Sequence, residues 1–274
     1  MSQSIALVAR EAPVHRPWRI PPRLRRFISP VVLVLAWEAG ARVGLISPHT
    51  IAAPSTILSS AWDLTVTGEL PENLLVSLAR VAVGFGLGVS AGIVLAVLSG
   101  LSRLGEEVLD APLQMLRTLP FLALVPLFIL WFGIGELPKV ALVTLGSMFP
   151  VYLNLFAGIR GVDPKLIEAG QVFGLSRLAM IRRVILPGAL PQLLVGLRYA
   201  LGVSWLSLVV AEQINANAGI GHLINDARDF LRTDVIVVGL MVYALLGLGA
   251  DALVRALEQR TLRWRPSLVR GDRT

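Results

Sequence analysis

Six long, nearly uncharged apolar stretches govern what this chain can fold into. They occupy roughly residues 27–46, 74–99, 117–134, 138–159, 190–214 and 235–257. The hydrocarbon core of a bilayer, about 30 Å thick, is crossed by about 20 residues of helix. Backbone inside lipid must satisfy its own hydrogen bonds, which leaves helices and closed barrels. None of the six stretches alternates as a barrel strand does, and none carries the polar face of a surface helix. An all-α, polytopic membrane bundle over residues 27–257 is therefore expected. Composition agrees: 55% of the 274 residues are hydrophobic and 16% charged, against about 45–50% and about 25% in soluble domains. A disordered chain, which lacks apolar residues to bury, is excluded. Pro120 and Pro126 interrupt the third stretch, where a kinked helix is expected.

The net charge of +7 comes almost wholly from arginine; only Lys139 and Lys165 are lysines. If the N-terminus is cytoplasmic, 19 of the 25 basic residues fall on the cytoplasmic side. Lys139, Arg228 and Arg232 fall on the opposite side, and Arg42, Arg80 and Arg198 lie within spans. That asymmetry is the positive-inside pattern, and it predicts a multi-pass membrane protein with both termini inside. It also accounts for the basic excess without nucleic acid, and no aromatic-interleaved basic patch argues otherwise. Residues 1–26 read as a cytoplasmic arm rich in arginine and proline, and 258–274 as a basic cytoplasmic tail. The stretch Phe27–Ile46 is too long for a leader core and shows no small-residue cleavage site, so it reads as a retained first span. With no cysteine, thiolate chemistry is excluded.

Within the spans, Gly84, Gly88, Gly92, Ala96 and Gly100 recur every fourth residue. They line one helix face with small residues that let a neighbouring helix approach. That face suits either ordinary packing or a core helix beside a translocation path. Glu38 with Arg42, and Asp251 with Arg255, are spaced for ion pairs along one helix. Ionisable groups in spans are costly and mark candidate function. Arg80 and Arg198 suit either snorkelling towards an interface or guiding an anionic solute. Glu212, Asn215 and Asn217, clustered at the outer end of the fifth span, suit either an outer vestibule or a plain loop. Arg80, Arg198, Glu212 and Asn215 are the candidate solute-path residues. Trp205 and Tyr199 read as packing residues.

Residues 161–187 are too many for a simple turn between spans four and five. Asp163-Pro164 reads as a helix start, Gly174 as its stop and Ser176 as the cap of a second short helix ended by Pro187. Leu166, Ile167, Val172, Phe173, Met180 and Ile181 give this helix–turn–helix an apolar side. Such a side suits a docking surface or a hairpin lying on lipid.

Glu168-Ala169-Gly170, three residues, Gly174, nine residues and Val184-Ile185-Leu186-Pro187 resemble the EAA loop of bacterial ABC importer permeases. Gly170 stands where that pattern has a second alanine, and Val184 where it has isoleucine. Gly100-Leu-Ser-Arg103, Gln114-Met-Leu-Arg117, Leu130-Trp-Phe-Gly-Ile134, Ile185-Leu-Pro-Gly-Ala-Leu-Pro191 and Ala216-Asn-Ala-Gly-Ile-Gly221 are similar to the nitrate/sulfonate/taurine branch, nearest its aliphatic-sulfonate members. The resemblance implies a six-helix, type I importer permease with cytoplasmic coupling helices. Glu168, Ala169, Gly170, Gly174, Leu186 and Pro187 would couple to an ATP-binding subunit. It further implies two such subunits, a second copy of this permease and an extracytoplasmic solute-binding protein. No cofactor, metal site or catalytic residue is expected here. Lys139 and Lys165 both follow proline, so the chain has no glycine-lysine phosphate loop, and ATP with Mg would be bound by the partner. Taurine, nitrate and a pyrimidine precursor are alternative solutes.

Two other classes compete. An ion-coupled secondary transporter would use Glu38 or Asp251 and favour internal repeats, which are not seen. A membrane enzyme would need clustered ligands, whereas His15, His49 and His222 fall on separate segments.

Overall fold

The computed structural model describes residues 22–262, and these form helices with no strand among them. α1 (Pro22–Arg42) leads through a turn into α2 (Pro54–Val66), followed by α3 (Glu69–Leu101) and α4 (Arg103–Thr118). Next come α5 (Phe121–Phe132), α6 (Glu136–Arg160) and α7 (Pro164–Val172). α8 (Arg177–Met180) runs through one π-helical turn, Ile181–Ile185, into α9 (Leu186–Asn215). α10 (Ile220–Asp229) and α11 (Thr233–Thr261) complete the described chain. The expectations for the arm 1–26 fall outside the described residues except where α1 begins, as does the tail beyond Leu262.

Among the described residues, four helices are long and apolar enough to cross a membrane: Glu69–Leu101, Glu136–Arg160, Arg177–Ile214 and Thr233–Thr261. The expected third span, 117–134, is not one kinked helix. Pro120 holds Leu119 extended, and α4 meets α5 at 112°. α5 alone has 12 residues, about 18 Å of helix, so only the bent α4–α5 pair supplies a fifth crossing. The first expected span is the 21-residue α1. It is not among the four, and its helix stops at Arg42 rather than at Ile46. Its last turns carry the Glu38–Arg42 ion pair (2.6 Å), and Glu38 also accepts from the Ser55 amide and hydroxyl. The pair expected from spacing thus holds the start of α2 against α1.

The centre of the bundle is α6, packed between α3 and α9. The small-residue face of α3 meets α6 along its length. A Cβ on Gly84 would lie 2.7 Å from Val143 Cβ, and one on Gly92 2.7 Å from the Met148 carbonyl oxygen. Ala96 is fully buried with Tyr152, Leu155 and Ile159. Close packing of this kind replaces the hydrophobic drive that is missing between helices in lipid. Gly88 faces Ser147 Oγ and the Thr144 carbonyl, and backbone cannot yield to a side chain as a flexible tip can. Gly88→Val is expected to lower stability by at least about 2 kcal/mol. Gly86→Val, on a face with nothing within 4 Å, is expected to leave the thermal unfolding midpoint in detergent nearly unchanged.

A second apolar cluster joins α2, α10 and α11 through Ile57, Leu64, Leu223, Val235 and Val238. The bundle therefore has two dissimilar ends. One carries α2, α10 and the start of α6; the other carries α7, α8 and the end of α11.

Candidate functional site

At the α10 end, residues far apart in sequence build a buried polar cluster. Arg80 enters from α3 with its side chain 5% exposed. Its Nε and Nη2 donate to the two oxygens of Glu136 at 2.5 and 2.6 Å, and its Nη1 donates to Glu212 and to the Ala218 carbonyl, both at 2.6 Å. This planar fork suits guanidinium better than ammonium. Glu212, from the last turn of α9, is fully buried. Its carboxylate also accepts from Ser77 Oγ, the Gly221 amide (2.9 Å) and Tyr243 Oη (3.0 Å). Ser77 in turn accepts from the Ile220 amide, and Asn73 Oδ1 from the Gly219 amide. The start of α10 thus presents its free amides to acceptors on α3 and α9, where a helix N-terminus favours negative charge. Gly219 has φ +111°, and a Cβ there would lie 2.6 Å from Arg80 Nη1. The Gly-Ile-Gly of residues 219–221 is thereby explained: the turn must pass directly over the ion pair.

Of the four path candidates, the structure brings Arg80 and Glu212 together as partners. Arg198 lies fourteen residues before Glu212 on α9, about 21 Å along the axis. There it pairs with Glu258 (2.7 Å) and Asp251 (3.5 Å) of α11. Asp251 also holds Arg255, as spacing predicted. Asn215 ends α9, and its side chain lies outside the described residues. The four do not form one site. Sequence reading missed Glu136, Ser77 and Tyr243, and weighed Lys139 only as a topology charge and against a phosphate loop. Lys139 is buried and reaches Glu136 at 3.1 Å; a lysine so near an apolar span was the available signal. Trp205 packs near Val81, Val143 and Leu208 as expected, whereas Tyr199 is exposed.

At the opposite end, Asp163 Oδ1 caps α7 by accepting from the Lys165 amide at 2.9 Å. Gly174 takes φ +73°, and the helix closes with Leu175 N donating to the Gly170 carbonyl and Gly174 N to that of Gln171. This left-handed stop favours glycine. Ser176 caps α8 through the Ala179 amide. Gly170 is buried under Met180, whose Cε would lie 2.6 Å from an added Cβ. The departure from a second alanine therefore accompanies the methionine that fills its place. Glu168 and Ala169 are exposed. Of the apolar side chains, Met180 turns inward, while Leu166, Val172 (86% exposed) and Phe173 (83%) point outward. Pro187 does not end a second short helix. The Leu186 amide donates back to Ile181, a π-turn, and this wider turn accommodates the missing donor and bulky ring of proline. Helix therefore continues from Arg177 to Asn215, with Leu186 and Pro187 opening α9. Only the first part of 161–187 is a projecting loop.

The sequence profile of the family described as "Binding-protein-dependent transport system inner membrane component" matches residues 88–263. A protein of Escherichia coli (strain K12) with the provisional name aliphatic sulfonates transport permease protein SsuC is 47% identical, covering 89% of this chain and 93% of its own. The taurine transport system permease protein TauC of the same organism is 38% identical over 85% and 86%. The crystal structure of an amino acid ABC transporter superposes with a TM-score of 0.61 at 20% identity, covering 72% of this chain and 96% of that one; it speaks for the fold alone. Helical architecture, the patterned α7 loop and the extent of these matches converge: the chain belongs to the family of inner-membrane components of binding-protein-dependent transport systems.

Proposed function

We propose that this chain is the permease subunit of an ATP-driven ABC importer that moves aliphatic sulfonates across the cytoplasmic membrane. The observation that carries the reading is the capped α7 loop, which matches the EAA pattern and displays Leu166, Val172 and Phe173 outward. Exposed apolar side chains beside a charged residue suit a protein-docking surface. In this reading Glu168, Ala169, Gly170 and Gly174 form the coupling helix, with Leu186 and Pro187 at its junction with α9. That end faces the cytoplasm, as the arginine distribution supports, and the termini lie on the same side. Two permease copies would dock on two ATP-binding subunits, and a solute-binding protein would meet the α10 end. ATP binding and solute delivery bias a bundle with two arrangements, which is alternating access. The identity to SsuC supports a sulfonate, with taurine or nitrate as the alternative within the same class.

The test is ATPase activity in proteoliposomes holding this chain and its ATP-binding partner. A binding protein loaded with an alkanesulfonate is expected to stimulate hydrolysis about tenfold, the size of a coupling energy of about 1–3 kcal/mol. Stimulation by taurine or nitrate alone would keep the importer and change the solute.

A further inference from the structure

We infer that Arg80 and Lys139 form a binding site for the sulfonate head group, which Glu136 occupies in the arrangement seen here. The inference rests on the importer reading above and adds where the solute first meets the permease. Two cationic side chains are buried in this cluster, Arg80 at 5% and Lys139 at 6% exposure, and two carboxylates balance them. The carboxylates are not equivalent. Glu212 is fully buried and held by Arg80, Ser77, Tyr243 and the Gly221 amide. Removing it would strand charge in the interior, so it is the permanent counter-ion. Glu136 is 59% exposed and, among the described residues, bonded by Arg80 and Lys139 alone. It stands in the first turn of α6, next to the α5–α6 connection where Gly133 takes φ +75°. Its carboxylate is more than half exposed, so water can solvate it once an incoming anion takes over its bonds to Arg80 and Lys139.

With Glu136 away, Arg80, Lys139 and Glu212 leave one positive charge, which a monoanion neutralises. Three donors then converge where its two oxygens were: Arg80 Nε, Arg80 Nη2 and Lys139 Nζ. A sulfonate offers three oxygens, and charge-assisted bonds from a guanidinium fork are the strong kind. The surroundings also suit a tail. Glu136, Val140 and Thr144 share one stripe of α6, and Arg80 and Leu87 one stripe of α3. Val140, Thr144 and Leu87 line an apolar groove of about 340 Å³ with Phe128, Phe132 and Met148. Head group and alkyl chain would lie along adjoining surfaces.

Isothermal titration of the purified full chain in detergent, without ATP or binding protein, tests this. Butanesulfonate is expected to bind Glu136→Ala about tenfold more tightly than the unaltered chain, as removal of a competing charge allows. Adding Lys139→Met is expected to abolish that gain. Glu136→Gln, which keeps the shape, serves if the alanine variant does not fold, and its gain is expected in the same direction. No binding by either folded Glu136 variant would overturn the inference, as would unchanged binding after Lys139→Met. Inorganic sulfate binding as tightly as butanesulfonate, or butanol binding at all tightly, would overturn the site as one for an alkyl sulfonate. Neither ATP nor a binding protein takes part, so failure here would leave the importer reading standing or falling on stimulated ATPase activity alone.

Discussion

Arg80→Leu is expected to destabilise the protein by about 3–5 kcal/mol, the cost of stranding one member of a buried ion pair. The effect should be large because Glu212 is fully buried and has no other cation within bonding distance among the described residues. Its remaining partners are Ser77, Tyr243 and the Gly221 amide, which solvate the charge without neutralising it. The loss should spread to α10, since the Arg80 guanidinium also holds the Ala218 carbonyl that leads into it. The double replacement Arg80→Leu with Glu212→Leu removes both charges and is expected to recover much of the stability. Thermal unfolding in detergent of the two variants decides it. Equal midpoints for Arg80→Leu and the unaltered chain, or additive losses in the double variant, would show that the pair does not hold this end together.

Phe173→Asp is expected to leave the chain folded and to weaken its association with the ATP-binding subunit by about thirtyfold, as loss of a hot spot of about 2 kcal/mol does. Phe173 follows α7, is 83% exposed, and contributes little to the permease's own packing. Among the described residues nothing covers its ring, which suits a docking surface. Affinity measured between the purified chain and the ATP-binding subunit reads the effect, with size-exclusion elution confirming the fold. Unchanged affinity would place docking elsewhere on the molecule.

Local features were the legible ones. The Glu38–Arg42 and Asp251–Arg255 pairs, the Asp163 cap, the left-handed Gly174 and the Ser176 cap each depend on residues within four positions of one another. Sequence spacing alone determines such geometry. The small-residue face of α3 was legible for the same reason, although its partner α6 was not. The Arg80–Glu212 pair joins residues 132 apart, and Arg80–Glu136 residues 56 apart. Nothing in local periodicity says which helices become neighbours. Hydropathy also overread the third span: it averages over Leu119 and Pro120, whose backbone breaks the run into an amphipathic α4 and a short α5. The same limitation hid the π-turn before α9. Pro187 is a helix breaker by propensity, but one wide turn absorbs it.

In the proposed function this bundle carries sulfonate inward when an ATP-binding partner moves the α7 loop. ATP-driven uptake of a labelled alkanesulfonate into vesicles containing the assembled complex, supplied with loaded binding protein, tests it most directly. Uptake is expected with the unaltered chain. With Glu168→Ala, which alters an exposed α7 side chain, uptake is expected to fall at least about tenfold, the effect of losing about 1.4 kcal/mol of coupling. Uptake independent of ATP, or undiminished when residues of the α7 loop are replaced, would contradict the account and favour an ion-coupled transporter.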